Sequence, residues 1–225
     1  MKLVTKIGGS LFKENLDPHD INRYSQVLKE IHRQGHQVVV ITGGGKNARK
    51  YIETARALGA NEAQCDQIGI YVTRLNARLL IAALGDDAFP EVPETVEEFR
   101  RYSATGKITV MGGLQPAQST DAVAAVIAEM ISANLLVKTI DAPGICTEDP
   151  KKHPDAKKID QINAQRLLEM LSQKPLAAGS YEMIDPVAVK VIERSKIPTR
   201  IVPGDDPRNI ERALKEEPVG TKIIP

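Results

Sequence analysis

The chain has 225 residues, is 42% hydrophobic and 26% charged, and carries a formal net charge of +1. Its length is enough to bury a substantial core, and its balanced charge gives no reason to expect nucleic acid or an anionic membrane as a partner. The longest apolar runs, such as 122–128, are too short to cross a bilayer, and the isolated Cys65 and Cys146 indicate reduced thiols in a cytoplasmic protein.

Apolar strands and amphipathic helices alternate along the chain, with glycines at many of their boundaries. The pattern predicts strands at 3–7, 36–42, 107–111, 134–140, 199–202 and 221–224, and helices at 20–34, 46–58, 66–84, 94–104, 119–133, 163–172, 185–195 and 207–216. A short edge strand is also predicted near 87–92, because Pro90 and Pro93 exclude a central position. This alternation predicts an α/β fold over 1–225, with helices on both sides of a mainly parallel sheet.

Residues 141–160 are the least regular part of the chain, and they include three prolines and four lysines. A lysine-rich loop is usually a solvated surface. The functional alternative is a flap that closes over a triphosphate.

Three of the predicted strands end in glycines, at Gly8-Gly9-Ser10, Gly43-Gly44-Gly45 and Gly112-Gly113. Glycine lets backbone N–H groups approach a ligand closely, and a helix that begins just after a strand favours phosphate oxygens at its N-terminus. The chain has neither a P-loop motif nor the dinucleotide-binding G-x-G-x-x-G. Three glycine loops with nearby basic and hydroxyl residues therefore favour phosphoryl transfer between two phosphorylated substrates.

Short motifs with a common resemblance are spread over the whole chain. In chain order they are KIGGS at 6–10, TGGGK at 42–46, TRLNA at 73–77, MGG at 111–113, STDAVAA at 119–125, DPKK at 149–152, AGSYE at 178–182 and ERSKI at 193–197. Together they resemble the amino acid kinase superfamily and, within it, the archaeal-type uridylate (UMP) kinases. The resemblance implies the amino acid kinase-like fold, a three-layer α/β/α sandwich.

The same resemblance implies a reaction and a division of the chain. The γ-phosphoryl group of ATP, bound with Mg²⁺, would pass to UMP in pyrimidine nucleotide biosynthesis, with residues of about 1–133 binding the acceptor and about 134–225 the ATP. Lys6 would be the catalytic cation. The other implied residues are Gly9, Ser10, Gly45, Arg49, Asp141, Cys146 and Asp149 for ATP, and Gly44, Asp66, Leu114, Gln115, Pro116, Ala117, Gln118, Ser119 and Thr120 for UMP. No protein ligand to the metal is implied.

Two of these residues also have a structural interpretation. Lys6 interrupts an apolar strand, where the alternative to catalysis is a charge on an edge strand. Its position just before the glycines favours the catalytic role. For Asp66 the alternative is the N-cap of the helix predicted at 66–84, and one carboxylate can serve both purposes.

The chain departs from its relatives at two loops. Ala117 replaces the glycine that is usual in the acceptor loop. At 140–146, the family's TNVDGVY reads IDAPGIC. Pro143 lacks the carboxylate and N–H of the usual aspartate, and Cys146 is too small to cover a base as a tyrosine would. We therefore expect a high KM for ATP and poor discrimination between ATP and GTP.

Two other functions remain open at this point. Another superfamily kinase with a different small acceptor is the first, although an isopentenyl phosphate kinase would have a histidine near the second glycine loop and 43–51 contain none. The second is a nucleotide-binding or storage protein that has lost catalysis. The retention of Lys6, Arg49 and Asp149 argues against this second function.

The predicted helix over 66–84 also bears on assembly. Ile70, Leu80 and Ile81 extend its apolar residues to more than one face, and a monomer would leave them in water. This pattern predicts a homo-oligomer, and the family resemblance implies a hexamer.

Overall fold

The structure, a computed structural model, describes residues 1–9, 11–172 and 183–225. Within these ranges the strands are β1 (Lys2–Ile7), β2 (Gln37–Thr42), β3 (Thr109–Met111), β4 (Leu135–Ile140), β5 (Gln161–Asn163), β6 (Thr199–Pro203) and β7 (Thr221–Ile224). The helices are α1 (Pro18–Arg33), α2 (Gly45–Ala57), α3 (Glu62–Leu84), α4 (Val96–Ser103), α5 (Thr120–Met130), α6 (Ala164–Ser172), α7 (Pro186–Ser195) and α8 (Arg208–Leu214). Ser10 and the AGSYE motif at 178–182 lie outside the described residues.

These strands form one sheet in the order β3-β2-β1-β4-β6-β7-β5, and each neighbouring pair is parallel except β6 with β7. Helices α1, α3 and α8 pack on one face of the sheet, and α4, α5, α6 and α7 pack on the other. The predicted α/β sandwich with a mainly parallel sheet is thereby confirmed. Because parallel strands end at one edge, the loops that follow β1, β2, β3 and β4 meet there.

The prediction of a strand at 87–92 is wrong. A 3₁₀ turn occupies Gly85–Asp87, and only Ala88 makes an isolated bridge, to Ile108. Pro90 follows too soon for a ladder to continue. Conversely, β5 is not predicted from the sequence, because three residues are too few for their exposed–buried–exposed alternation to be recognised.

Helix α3 begins earlier than predicted. Asn61 is its N-cap and forms a capping box with Gln64, so the alternative role of Asp66 as N-cap is wrong. The prediction that Ile70 and Leu80 are exposed is also wrong, since both are buried.

By length and composition alone, the segment Glu62–Asp87 is apolar enough to cross a membrane, since an 18-residue window within it has a mean hydropathy of 1.3. In the fold, α3 packs against α1, α2 and β3. Its buried Thr73 and Asn76 are hydrogen-bonded to neighbouring loops of the protein. These contacts are those of a core helix.

Candidate active site

Two lysines lie side by side near the carboxyl ends of adjacent strands. In the parallel pair formed by β1 and β4, Lys6 is directly opposite Lys138. All the remaining residues of β4 are buried as well, and Lys138 itself is only 5% exposed. A charged group is costly to bury unless it is paired. The register of the central strands therefore concentrates positive charge at the edge of the sheet where ligands bind.

Asp121, in the first turn of α5, compensates this charge. Its Oδ1 lies 3.2 Å from Lys6 Nζ, and its Oδ2 accepts hydrogen bonds from Lys138 Nζ and from the backbone N–H of Asp185. Burial by itself raises the pKa of the Asp121 carboxyl, but the ammonium groups of Lys138 and Lys6 outweigh it and hold the pKa well below its usual range. Asp121 is thus an ionised carboxylate that fixes both lysines.

A cavity of about 390 Å³ opens above these three residues. It is bounded by the N-termini of α2 and α5, whose dipoles and N–H groups favour anions. A second cavity of about 580 Å³ continues from it and shares Gly9, Lys46 and Asp141. The lining of the first cavity includes Lys6, Gly8, Gly9, Gly43, Gly44, Gly45, Lys46, Arg49, Thr120, Lys138, Asp141, Asp149 and Lys151.

The start of α2 requires glycine. Gly45 has φ +65°, and a Cβ there would lie 2.0 Å from the carbonyl oxygen of Phe12. The first turn of α2 contains no acidic residue and instead carries Lys46, and Arg49 follows directly after this turn. Cations there oppose the helix dipole, and a bound phosphate would relieve the mismatch.

The residues implied for UMP form a group beside this cavity. Asp66 Oδ2 accepts a hydrogen bond of 2.8 Å from the N–H of Ala117, which has the left-handed φ of +61°. Ser119 is the N-cap of α5, and Thr120 lines the cavity itself. Asp66 and the 114–120 loop are thus brought together next to the phosphate-sized space, and Thr120 at the end of this loop is part of its lining.

The loop after β4 brings only some of the residues implied for ATP to the cavity. Asp141 and Asp149 line it, and Asp141 is paired with Lys151. Cys146 is 1% exposed, and its Sγ lies 3.7 Å from the carbonyl oxygen of Gly144. Its thiol is therefore buried in the fold and is not part of the cavity lining.

Four charged residues at the site were not selected from the sequence. These are Lys46, Asp121, Lys138 and Lys151. For Lys138 the signal was present, because it is a lone lysine in an otherwise apolar strand, as Lys6 is. Asp121 is part of the STDAVAA motif, but that motif does not indicate its role, because its partners belong to other elements of the fold.

This arrangement suits phosphoryl transfer. Such a reaction needs positioning and neutralisation of charge on the transferred group more than it needs a covalent nucleophile. Paired lysines at the base of a glycine-lined cavity supply fixed positive charge, and the two helix N-termini supply N–H donors.

Comparisons with known proteins agree with this chemistry. Residues 1–203 match the model of the amino acid kinase family. The chain is 48% identical over 224 residues to the uridylate kinase of Methanobrevibacter smithii, covering 100% of this chain and 99% of that protein. It is 48% identical over 225 residues to the uridylate kinase of Methanothermobacter thermautotrophicus, covering 100% of both. The crystal structure of uridylate kinase from Archaeoglobus fulgidus is similar with a TM-score of 0.88 and 41% identity, covering 99% of this chain and 100% of that chain.

Proposed function

Because this chain belongs to the amino acid kinase family, we propose that it is an ATP-dependent kinase that phosphorylates UMP to UDP. Its identity to uridylate kinases over the full chain supports this substrate. The observation that carries the reaction type is the Lys6–Asp121–Lys138 set below the glycine-lined cavity.

In this reaction the chain's residues bind and neutralise rather than react covalently. The N-termini of α2 and α5 bind phosphate oxygens through their N–H groups. Lys6 and Lys138 stabilise the charge that develops as the phosphoryl group leaves ATP and reaches the UMP phosphate. Asp121 holds both ammonium groups in place, so that little reorganisation is needed during transfer.

The two nucleotides occupy different parts of the chain in this proposal. Residues of about 1–133 bind UMP, through Gly44, Asp66 and the 114–120 loop. Residues of about 134–225, together with Gly9, Ser10, Gly45 and Arg49, bind ATP. The hydrogen bond between Asp66 and Ala117 supports a common acceptor site for these two segments.

The carboxylates present fit a magnesium ion that arrives on the phosphates of ATP. Mg²⁺ in such sites is bound by one or two carboxylates together with substrate phosphates and water. Asp121 is already neutralised by two lysines and Asp141 is paired with Lys151. Asp149, which lines the cavity, is the residue that would face the ion, and Mg²⁺ would supply further neutralisation of the phosphate charge.

We extend the proposal to the assembly and its location. The enzyme is a cytoplasmic homo-oligomer, a hexamer by family resemblance. Both cysteines are buried and free, which agrees with a reducing compartment.

A coupled assay of ADP release tests the function directly. With ATP and Mg²⁺, each of UMP, CMP, AMP and GMP is supplied in turn as acceptor. We expect the highest kcat/KM with UMP. A faster reaction with any of the other three would overturn the acceptor assignment, and no ADP release with all four would overturn the phosphorylation of nucleoside monophosphates.

A further inference from the structure

Helix α3 directs three polar side chains toward the loops of the active site. Thr73 and Asn76 are 6% and 4% exposed, and the side chain of Arg74 is 12% exposed. Burying such groups costs free energy unless they are hydrogen-bonded. Their partners therefore indicate what these residues do.

Two of the three side chains fix the ends of neighbouring strands. Thr73 Oγ1 accepts a hydrogen bond of 2.8 Å from the N–H of Gly113, just after β3. Asn76 Nδ2 donates a hydrogen bond of 2.8 Å to the carbonyl oxygen of Gly43, just after β2. Thr73 lies so close to the loop after β3 that a Cβ on Gly112 would be 2.5 Å from Thr73 Oγ1. Helix α3 thus supports two of the three glycine loops directly.

Arg74 makes the most extensive contacts of the three. Its Nε donates to the carbonyl oxygen of Gly113 at 3.1 Å, and its Nη2 donates to that of Leu114 at 3.3 Å. On the other side of the guanidinium, Nη1 donates to Glu94 Oε2 at 2.6 Å and Nη2 to the Glu94 carbonyl oxygen at 3.4 Å. One planar group therefore joins α3, the segment before α4 and the first residues of the acceptor loop.

We propose that Arg74 is a positioning residue for the acceptor nucleotide, fixing the backbone at 113–114 from which the 114–120 loop departs. This inference rests on the proposed function, which places UMP against that loop. Arg74 is not in the lining of the phosphate cavity, so it acts on UMP through the loop and not on the transferred group. Its loss should weaken UMP binding while the chemical step at Lys6 and Lys138 continues.

The test compares Arg74→Gln and Arg74→Lys with Arg78→Gln. Arg78 lies one turn further along α3 and is exposed, which makes it the matched control. Measurements are kcat, the KM for UMP, the KM for ATP, and amide hydrogen exchange at 112–118 without nucleotide. For Arg74→Gln we expect the KM for UMP to rise about tenfold or more, the loss expected for charge-assisted hydrogen bonds. The other two kinetic constants should stay within about twofold, and exchange at 112–118 should accelerate.

The conservative variant separates positioning from charge alone. Lysine keeps the positive charge but has no planar fork of donors, so Arg74→Lys should raise the KM for UMP less than Arg74→Gln does. Arg78→Gln should change neither the kinetics nor the exchange. Equal changes in kcat and both KM values would indicate a general structural role and would overturn the proposal, as would an unchanged KM for UMP in both Arg74 variants.

Two further measurements keep the outcome decisive. If Arg74→Gln does not fold, Glu94→Ala removes one contact of the same guanidinium at an exposed side chain, and a smaller rise in the KM for UMP is expected. No rise there would count against the proposal. Hydrogen exchange needs no nucleotide, so unchanged exchange at 112–118 in Arg74→Gln refutes the positioning role even if UMP proves not to be the acceptor. Failure of UMP in the wild-type assay instead refutes the proposed function.

Discussion

Lys6, Lys138 and Asp121 place two positive charges and one negative charge in an almost buried group. One positive charge is therefore left uncompensated within the triad, directly below the space for phosphate. An anion that enters the cavity replaces the water that would otherwise solvate this charge. In a site with little water the interaction is much stronger than in bulk solvent, so the triad suits a reaction whose charge lies on phosphoryl oxygens.

Replacing either lysine should slow the chemical step. For Lys6→Ala and Lys138→Ala we expect kcat to fall on the order of 10²–10³, the usual loss for one preorganised electrostatic contact. The KM for UMP should change far less, because the charge matters most during transfer. Steady-state kinetics against the exposed control Lys107→Ala measure both constants. A Lys6→Ala enzyme with half of the wild-type kcat would show that Lys6 is structural.

Replacing Asp121 should destabilise the fold in a pH-dependent way. The pKa of Asp121 is lowered in the folded state, so its contribution is fully present above the ordinary carboxyl pKa of about 4 and is lost as the pH falls below that value. At pH 7, Asp121→Asn should reduce the free energy of unfolding by about 3 kcal/mol or more, because two buried ammonium groups lose their partner.

Urea unfolding at several pH values tests this expectation, with the exposed Asp86→Asn as the control. The difference between wild type and Asp121→Asn should narrow as the pH is lowered below about 4. A difference that stays constant from pH 7 to pH 3 would show that the carboxylate charge is not what stabilises the site.

At the scale of single elements, helix α3 shows why periodicity settles some questions and leaves others open. Its apolar residues correctly predict a helix, but they lie on all of its faces, so the pattern does not show which face is buried. The structure buries Ile70 and Leu80 and leaves Tyr71 and Leu75 exposed. The inward face is marked by Thr73 and Asn76, whose partners lie in distant loops and so cannot be read from the helix itself.

The strands illustrate the same limit for the site. The glycine loops and Lys6 could be predicted because their chemistry is local, namely glycines after an apolar strand and a lysine within it. The pairing of Lys6 with Lys138 depends on strand order, which sequence patterns leave undetermined. The orientation of Cys146 likewise follows from tertiary contacts, since Thr221 accepts from the N–H of Ile145 and so anchors the adjacent backbone.

The loop after β4 leads to a prediction about the phosphoryl donor. Cys146 is buried, and the lining of the 390 Å³ cavity includes no aromatic side chain to cover a base. The second cavity has Tyr24 in its lining, but this side chain is only 3% exposed and its hydroxyl donates to the carbonyl oxygen of Gly204. We expect a high KM for ATP, and kcat/KM values for ATP and GTP within about tenfold of each other, because base stacking contributes only about 1 kcal/mol per aromatic contact.

Donor kinetics at saturating UMP measure this selectivity. Restoring the family residue alone should not help, since Cys146→Tyr places a large ring where the thiol is 1% exposed. That variant should unfold at a lower temperature, as overpacked cores do. Strict preference for ATP with a low KM in the wild type would contradict the prediction.

At the scale of the whole molecule, the packed pair α2 and α3 presents apolar side chains to solvent. Tyr51, Leu58, Tyr71 and Leu75 are all between 59% and 83% exposed. An exposed apolar surface therefore still supports the predicted oligomer. On α3 it is formed by Tyr71 and Leu75, and not by Ile70 and Leu80, which are buried.

We expect light scattering at micromolar concentration to give a mass well above the 24.6 kDa of one chain. Leu75→Glu should lower that mass, because a charge in an apolar interface is costly. Val187→Glu is the matched control, since Val187 is also exposed but lies on α7, away from this pair. A monomeric wild type would refute the expectation.

The adjacency of β1 and β4 also governs when the enzyme becomes active during its synthesis. A ribosome releases the chain from the N-terminus, so Lys6 emerges long before Asp121 and Lys138. The first three strands of the protein and its acceptor loop are translated before β4 is available. Such distant pairings form late and slowly. A nascent or prematurely terminated chain that ends before β4 would therefore lack Lys138 and one of the two strands that pair with β1, and it would not form the paired lysines.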